Sequence, residues 1–302
     1  MRDLERYSSV RRWLDSVASS GIRSATTEKN YLIVLGQFCE FARKTPDELI
    51  EERREHLKST DEMVRMQHEE LLRRWQIFLE SKRGLARGSV STLFAIAKSF
   101  YSANYCKLTV KSPKSWATRV RKVPTLEELK IMVNSCNNAK DRAVIMFLAQ
   151  TGMSLKDFLT QVTYGKIKDE FESGIEPLHI SIVRTKTMVR YDTFLGQNGL
   201  DFLKQHLRVV GAKADEPLFR IASRRVEYIV SNASERAGLN PAVTPHKLRA
   251  FFSTRLKLSE CPDELVEYWM GHTIPYGGAY FVPPPEEQRK IYKNYEWAIS
   301  IR

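Results

Sequence analysis

The chain has only four cysteines in 302 residues, Cys39, Cys106, Cys136 and Cys261, and no two of them form a CxxC pair. That spacing excludes a disulfide scaffold and a cysteine zinc cluster, and it suits a reducing cytoplasm. The six histidines are equally dispersed, so no metal-ligand set presents itself and none is assigned. No apolar run approaches the roughly 20 residues that span a bilayer; the best, Ala143 to Ala149, falls far short, and no membrane partner is expected. The start, MRDLERYSSVRRW, has no apolar stretch of the signal-peptide kind. GxGxxG and GxxxxGK[ST] are both missing, which removes the common phosphate-cradling loops and with them a nucleotide-driven motor. There is no internal repeat and no low-complexity tract. What remains is ordinary globular material, 42% apolar and 28% charged, in a length that suits one large or two modest domains.

Positive charge is what the chain has in excess, and it is unevenly placed. The net charge is +12, of which residues 1–122 carry +9 and residues 123–302 carry +3. Ser81 to Lys122 holds ten bases (Lys82, Arg83, Arg87, Lys98, Lys107, Lys111, Lys114, Arg119, Arg121 and Lys122) and no acid. Each phosphate neutralised by such a surface releases condensed counterions, so a nucleic acid is the natural partner. A solvated basic face is the plainer alternative, and charge alone does not separate DNA from RNA.

Hydrophobic spacing predicts helices through the first hundred residues: around Val10–Val17, Tyr31–Ala42, Asp61–Lys82 and from Ser89 onward, four amphipathic helices able to pack as a bundle. Val110 to Pro124, with two prolines and five bases, reads as an extended basic linker. Thr125 then opens a helix with a capping box, Glu128 standing three residues on. The remainder is mixed. An apolar helix Asp141–Gln150 ends at Thr151-Gly152, and strands at Leu178–Val183 and Val189–Phe194 flank a turn, Arg184 to Met188. Helices follow at Gly199–Val209, Arg224–Ala237, His246–Lys257 and Asp263–Met270, and from Glu286 to about Trp297. The expected fold is mainly α with a small antiparallel β-sheet: a helical N-terminal domain (1–109), a linker (110–124) and a mixed α+β domain (125–302).

Four features of the last domain belong together. TPHKLRAFFSTRL places His246 and Arg249 three apart near a helix start, on one face. YWMGHTIPYGGAYF ends a helix at Gly271-His272 and continues to Tyr280. Lys186 sits at the tip of the expected hairpin, and TGMSLKDFL follows the apolar helix. Singly these are weak. In this order, behind a basic helical domain, they resemble the tyrosine recombinase (phage-integrase-like) family over nearly the whole chain. RTKTMVRYDTF and GAYFVPPPEEQRKIY look most similar to integrases of archaeal mobile elements.

The resemblance implies a helical core-binding domain and a catalytic domain that together clamp duplex DNA. It also implies strand cleavage through a covalent 3′-phosphotyrosyl bond, with no cofactor. By the same resemblance Tyr280 is the nucleophile, Arg249 clamps the phosphate, His246 and His272 assist and position it, and Lys186 protonates the leaving oxygen. Tyr276, Tyr292 and Tyr295 are the other tyrosines within reach. The family works as a tetramer on two DNA sites with exchanged C-terminal segments, and the run Pro283–Pro285 and the helix after it suit such an exchange. Lys82, Arg83, Arg87, Lys98, Lys111, Lys114, Arg119, Arg121 and Lys122 are the expected DNA contacts.

One departure stands out. The family carries an arginine just after the TG turn, where this chain has Ser154 and Leu155, with Lys156 the nearest base. Three readings stay open: Lys156 substitutes as a point charge, an arginine was replaced to trap a complex, or the chain binds DNA without cutting it. The leading expectation is a site-specific recombinase that integrates or excises a mobile element, acting in a cytoplasm or, if virus-encoded, in its host's. A Xer-like dimer resolvase and a non-catalytic DNA-binding protein are the alternatives.

Overall fold

The computed structural model describes residues 3–19, 25–114, 122–211, 213–274 and 282–302. The chain divides into two compact units, residues 1–120 and 121–302. The expected linker, 110–124, spans that division.

The first unit is helical: α1 (Ser8–Ser19), α2 (Ala25–Ala42), α3 (Pro46–Lys58), α4 (Glu62–Arg65), α5 (Gln67–Ser81) and α6 (Arg87–Ala103). Trp13, Phe38, Leu49, Leu72, Trp75, Phe94 and Phe100 meet in its core. This is two helices more than the four expected. Helix α3 starts where Thr45 caps Glu48 and Glu48 returns the bond, with Pro46 in the first turn; that is a strong start signal. The stretch Asp61–Lys82 breaks at Met66 (φ −92°, ψ 3°) into α4 and α5. After α6 the chain stays on this unit, burying Cys106, Leu108 and Val110. A buried carboxylate and a half-buried lysine tie that segment down. Glu69 takes a fork of bonds from Arg53 (2.8 and 2.9 Å) and one from the Thr109 amide (3.2 Å), and Lys98 donates to the Val110 carbonyl.

The second unit is built around α8 (Ala139–Thr151), whose residues Ala143–Thr151 are all buried. Helix α7 (Leu126–Asn134) precedes it with the expected Thr125–Glu128 capping box. The two short helices α9 (Leu155–Thr160) and α10 (Tyr164–Ser173), neither of them expected, lead to a hairpin. Strands β1 (Leu178–Val183) and β2 (Arg190–Leu195) pair antiparallel from Leu178↔Leu195 to Val183↔Arg190. Leu178, Ile180 and Ile182 point into the core, the period of a half-buried strand. Helices α11 (Gln197–Val210), α12 (Ser223–Arg236) and α13 (Pro245–Leu258) enclose α8, and α14 (Asp263–Trp269) crosses under β2.

The last helix, α15 (Pro285–Tyr295), is seated on its own unit. The buried Tyr292 donates to the Gln150 carbonyl (2.8 Å) and Trp269 donates to Gln288 (2.8 Å). Arg289 forks onto Glu170 (2.6 and 3.1 Å). Among the described residues no helix is long and apolar enough to cross a membrane, and all four cysteines are free and buried.

The sheet face carries one acid-sensitive link. Asp192 on β2 meets His179 (2.9 Å) and accepts from Tyr268 (2.6 Å). Burial pushes its carboxyl up, but hydrogen bonds from His179, Tyr268 and Ser181 outweigh burial and hold it down at about 2, against an ordinary 3.8. A depressed folded value means stability that is present above about pH 4 and is lost as pH falls toward about 2. Asp192→Asn is expected to flatten the fall in melting temperature across that window, measured by thermal unfolding in a pH series.

Candidate active site

Two glycines shape the site. Gly152 ends α8 in the left-handed region at φ 60°, and an added Cβ there would stand 2.3 Å from the Phe252 ring. Gly271 ends the turn after α14 at φ 68°, where a Cβ would stand 2.7 Å from the Tyr191 ring. Only glycine combines that conformation with so little space. Each presents its carbonyl to a guanidinium: Gly152 O accepts from Arg249 and Gly271 O from Arg184.

Arg249 lies in the first turns of α13, whose start is set by Thr244 as cap and Pro245 behind it. It is buried, 8% exposed. Besides Gly152 O it donates to Met270 O (2.7 Å) and to His272 Nε2 (2.7 Å). A guanidinium can only donate, so Nε2 is the accepting nitrogen and the His272 proton sits on Nδ1, facing Glu267. Glu267 also takes a bond from Lys257 (2.6 Å). Burial pushes Glu267 up, but the bonds from Lys257 and His272 prevail and hold it below the ordinary carboxylate value.

Arg184 comes from the other side, at the base of the hairpin turn. Its amide donates to Val189 O and its carbonyl accepts from the Met188 amide, both at 2.8 Å. The next residue, Thr185, is tied to the buried Asp157 by its amide (2.8 Å) and its hydroxyl (2.6 Å). Asp157 also accepts from Ser154 (2.7 Å) and Tyr191 (3.4 Å). One carboxylate therefore knots the start of α9, β2 and the hairpin turn together.

Ser154, Arg184, His246, Arg249 and His272 line a single cleft of about 740 Å³, with Leu155 and Thr244 beside them. Burial and then the neighbouring Arg184 charge pull the Arg249 guanidinium down to about 10, which leaves it charged at neutral pH. Among the described residues neither arginine has a carboxylate within ion-pair distance. The one acid on the cleft wall, Glu227, accepts from Ser223 (3.3 Å). A cleft with two unpaired guanidiniums and two imidazoles is a receptor for an anion that sheds its hydration, such as a phosphodiester.

The structure brings three of the expected catalytic residues, His246, Arg249 and His272, to this cleft. Lys186 is exposed at the hairpin tip, two residues from Arg184 and outside the cleft lining. Tyr280 lies outside the described residues, as does Tyr276. Tyr292 is fully buried and bonded to Gln150 O, and Tyr295 donates to Glu260 O (3.2 Å). At the expected arginine position, Ser154 and Leu155 line the cleft, and Ser154 caps α9 by accepting from the Asp157 amide (3.2 Å). Helix α8 has therefore already ended, whereas TGMSLKDFL reads in sequence as one helix end. Lys156 is exposed and does not line the cleft.

Of the expected DNA contacts, Lys82, Arg83, Arg87, Lys111, Lys114 and Lys122 are exposed. Lys122 also reaches Glu128 (2.6 Å). Lys98 is half-buried and bonded to Val110 O. Arg119 and Arg121 lie outside the described residues. The sequence does not signal the link between Arg184 and Asp157: one is a hairpin base, and the other closes the local Ser-x-x-Asp cap at the start of α9.

The family model described as "Phage integrase family" matches residues 122–275, half of the chain. Among solved structures the chain is similar to a lambda integrase tetramer bound to a Holliday junction. That match has TM-score 0.62 and 16% identity, and covers 94% of this chain and 77% of that one. It is similar also to a lambda integrase (75-356) dimer bound to a COC' core site, with TM-score 0.61, 14% identity and 94% of each chain covered. A third match is lambda integrase (residues 75-356) bound to DNA, with TM-score 0.56, 16% identity, and 93% and 96% covered. At such identities the likeness is one of fold. A comparison with curated proteins finds no match. With the family model matched over half of its length, the chain belongs to the phage integrase family.

Proposed function

We propose that the protein is a site-specific DNA recombinase that cuts and rejoins DNA through a 3′-phosphotyrosyl intermediate, integrating or excising a mobile element of the archaeal type. The observation that carries this reading is the convergence of Arg249, His246 and His272 on one cleft whose guanidiniums lack carboxylate partners.

The chemistry follows from those groups. The Tyr280 hydroxyl attacks the scissile phosphorus, its oxygen forming the new P–O bond while the P–O5′ bond breaks. The tyrosine proton leaves to a base or water; Lys186, at the hairpin tip, gives a proton to the departing O5′. Negative charge grows on the non-bridging oxygens, where Arg249 and the histidines supply donors. On phosphate binding, Arg249 turns from His272 Nε2 to a phosphate oxygen. His272 Nε2 then faces the phosphate, with Glu267 holding its other nitrogen. The broken bond's energy is kept in the phosphotyrosyl ester, so the 5′ hydroxyl of either strand can reverse the step.

Duplex DNA is the partner, held by the exposed bases of residues 82–122. Several copies act together, in keeping with the lambda integrase dimer and tetramer to which the fold is similar. The salt dependence of binding separates holding from folding. Replacing Lys82 and Arg83 together by alanine is expected to reduce the slope of log K against log salt by roughly one for each phosphate that is no longer neutralised. Lys98→Ala is expected to leave the slope alone and to lower the melting temperature instead, since it removes the Val110 anchor.

A second reading, a DNA-binding protein that does not cut, is favoured by Ser154 standing where the family has its arginine. Incubation with supercoiled plasmid followed by SDS and electrophoresis decides between them. Protein-linked or relaxed DNA supports the recombinase; retarded but intact supercoiled DNA supports the binder.

A further inference from the structure

The cleft contains a guanidinium that the family motif does not supply. Arg184 stands at the base of the β1–β2 turn, half-buried, with its backbone fixed on both sides by Val189 and Met188. Thr185 is pinned to the buried Asp157, so the turn holds the Arg184 side chain toward the cleft rather than letting it follow the exposed tip. Arg184 and Arg249 donate to the consecutive carbonyls Gly271 and Met270, just before His272, and so they reach the same turn from opposite sides.

The donor inventories of the two arginines differ. A guanidinium has five N–H donors. Arg249 places three hydrogen bonds on the protein itself, to Gly152 O, Met270 O and His272 Nε2. Arg184 places one, to Gly271 O, among the described residues. Most of its fork is therefore left over and faces the cleft. The like charge of Arg184 also lowers Arg249, second only to burial, while Tyr191, Asp157 and Glu267 act in the opposite sense. With no carboxylate within ion-pair distance of either arginine among the described residues, an anion bound in the cleft would be stabilised by both charges.

We propose that Arg184 supplies the second guanidinium of the phosphate clamp, in place of the arginine absent at Ser154. The inference rests on the recombinase reading and deepens it: the cleft holds two guanidiniums without an arginine from the TG turn. Ser154 is left to cap α9 and hold Asp157, and Asp157 holds the turn that carries Arg184. The guanidinium comes from the hairpin turn, and Asp157 fixes that turn through Thr185.

The test uses the full chain and a nicked duplex carrying the site that the protein selects from a randomised DNA pool. A second duplex is made identical except for a neutral methylphosphonate at the scissile position. Arg184→Ala is expected to slow covalent-complex formation on the phosphodiester about a hundred-fold or more, with DNA affinity within a few-fold. On the methylphosphonate, where there is less charge to clamp, the loss is expected to shrink at least tenfold. Arg184→Lys, which keeps a charge and one donor for Gly271 O, is expected to fall between alanine and the parent. An undiminished rate for Arg184→Ala overturns the proposal. So does an equal loss on both duplexes, because that marks a residue that merely holds the Gly271 turn. If the parent protein forms no adduct on the phosphodiester, the recombinase reading fails, and the clamp with it.

Discussion

Arg249→Lys is expected to slow covalent-complex formation by about a hundred-fold or more while DNA affinity changes little. The substitution looks conservative and is not. Arg249 spreads three hydrogen bonds over Gly152 O, Met270 O and His272 Nε2, and a lysine ammonium is a point charge that cannot reproduce that fork. The new ammonium would also meet the same burial and the same Arg184 charge that pull the guanidinium down to about 10. Those two effects lower a lysine as well, but from its ordinary value it stays mostly charged at neutral pH. The variant therefore loses the geometry of the fork rather than the charge. Single-turnover trapping on a nicked duplex, with binding measured in parallel, checks the outcome. A rate within threefold of the parent would contradict the role given to Arg249.

Asp157→Ala is expected to be the most damaging change away from the reacting atoms. The carboxylate is 1% exposed and accepts from the Thr185 amide, the Thr185 hydroxyl, Ser154 and Tyr191. Truncation strands the buried Tyr191 hydroxyl and three half-buried donors; at about 1–3 kcal/mol for a buried donor and less for the others, a loss of roughly 3 kcal/mol follows. For a unit of this size that lowers the melting temperature by about 10 °C. Covalent activity is expected to fall further than stability alone dictates, because the turn carrying Arg184 loses its tether. Asp157→Asn keeps the shape but puts a donor on one side where an acceptor is needed, so an intermediate effect is expected. Thermal unfolding together with adduct yield below the unfolding range separates the two losses. An unchanged melting temperature in the alanine variant would refute the knot.

The fold was legible where hydrophobic spacing and termination signals agree. Helix α8 is apolar from Ala143 to Ala149 and stops at a left-handed position that only glycine fits. Strand β1 shows period-two burial, whereas β2 is buried along nearly its whole length, and α13 shows its cap, its proline and its paired His246 and Arg249. Helix α3 was present in the letters TPDE and went unread because its residues are mostly charged, so the capping box was the only strong signal. The break at Met66 has no proline or glycine to announce it. Ser154 shows how a motif can mask local physics. Measured against the family it is a missing arginine, whereas locally it is a Ser-x-x-Asp cap that starts a new helix. The connection between Arg184 and Asp157 is not readable along the chain. Their importance arises when the end of β1, the start of α9 and Gly271 come together in space, and no spacing along the chain encodes that. Lys98 illustrates the reverse: a base within an acid-free run that turns inward to a carbonyl and leaves the electrostatic surface.

The central claim is that a tyrosine in the segment after His272 becomes covalently joined to DNA. Burial removes Tyr292 from contention, and Tyr295 is bonded to a backbone carbonyl, which leaves Tyr280 as the proposed nucleophile and Tyr276 as its nearest control. The decisive measurement is covalent trapping on a nicked duplex by the parent protein, Tyr280→Phe and Tyr276→Phe at matched DNA occupancy. An SDS-resistant adduct is expected with the parent and with Tyr276→Phe, and none with Tyr280→Phe. Undiminished adduct with Tyr280→Phe would contradict that assignment.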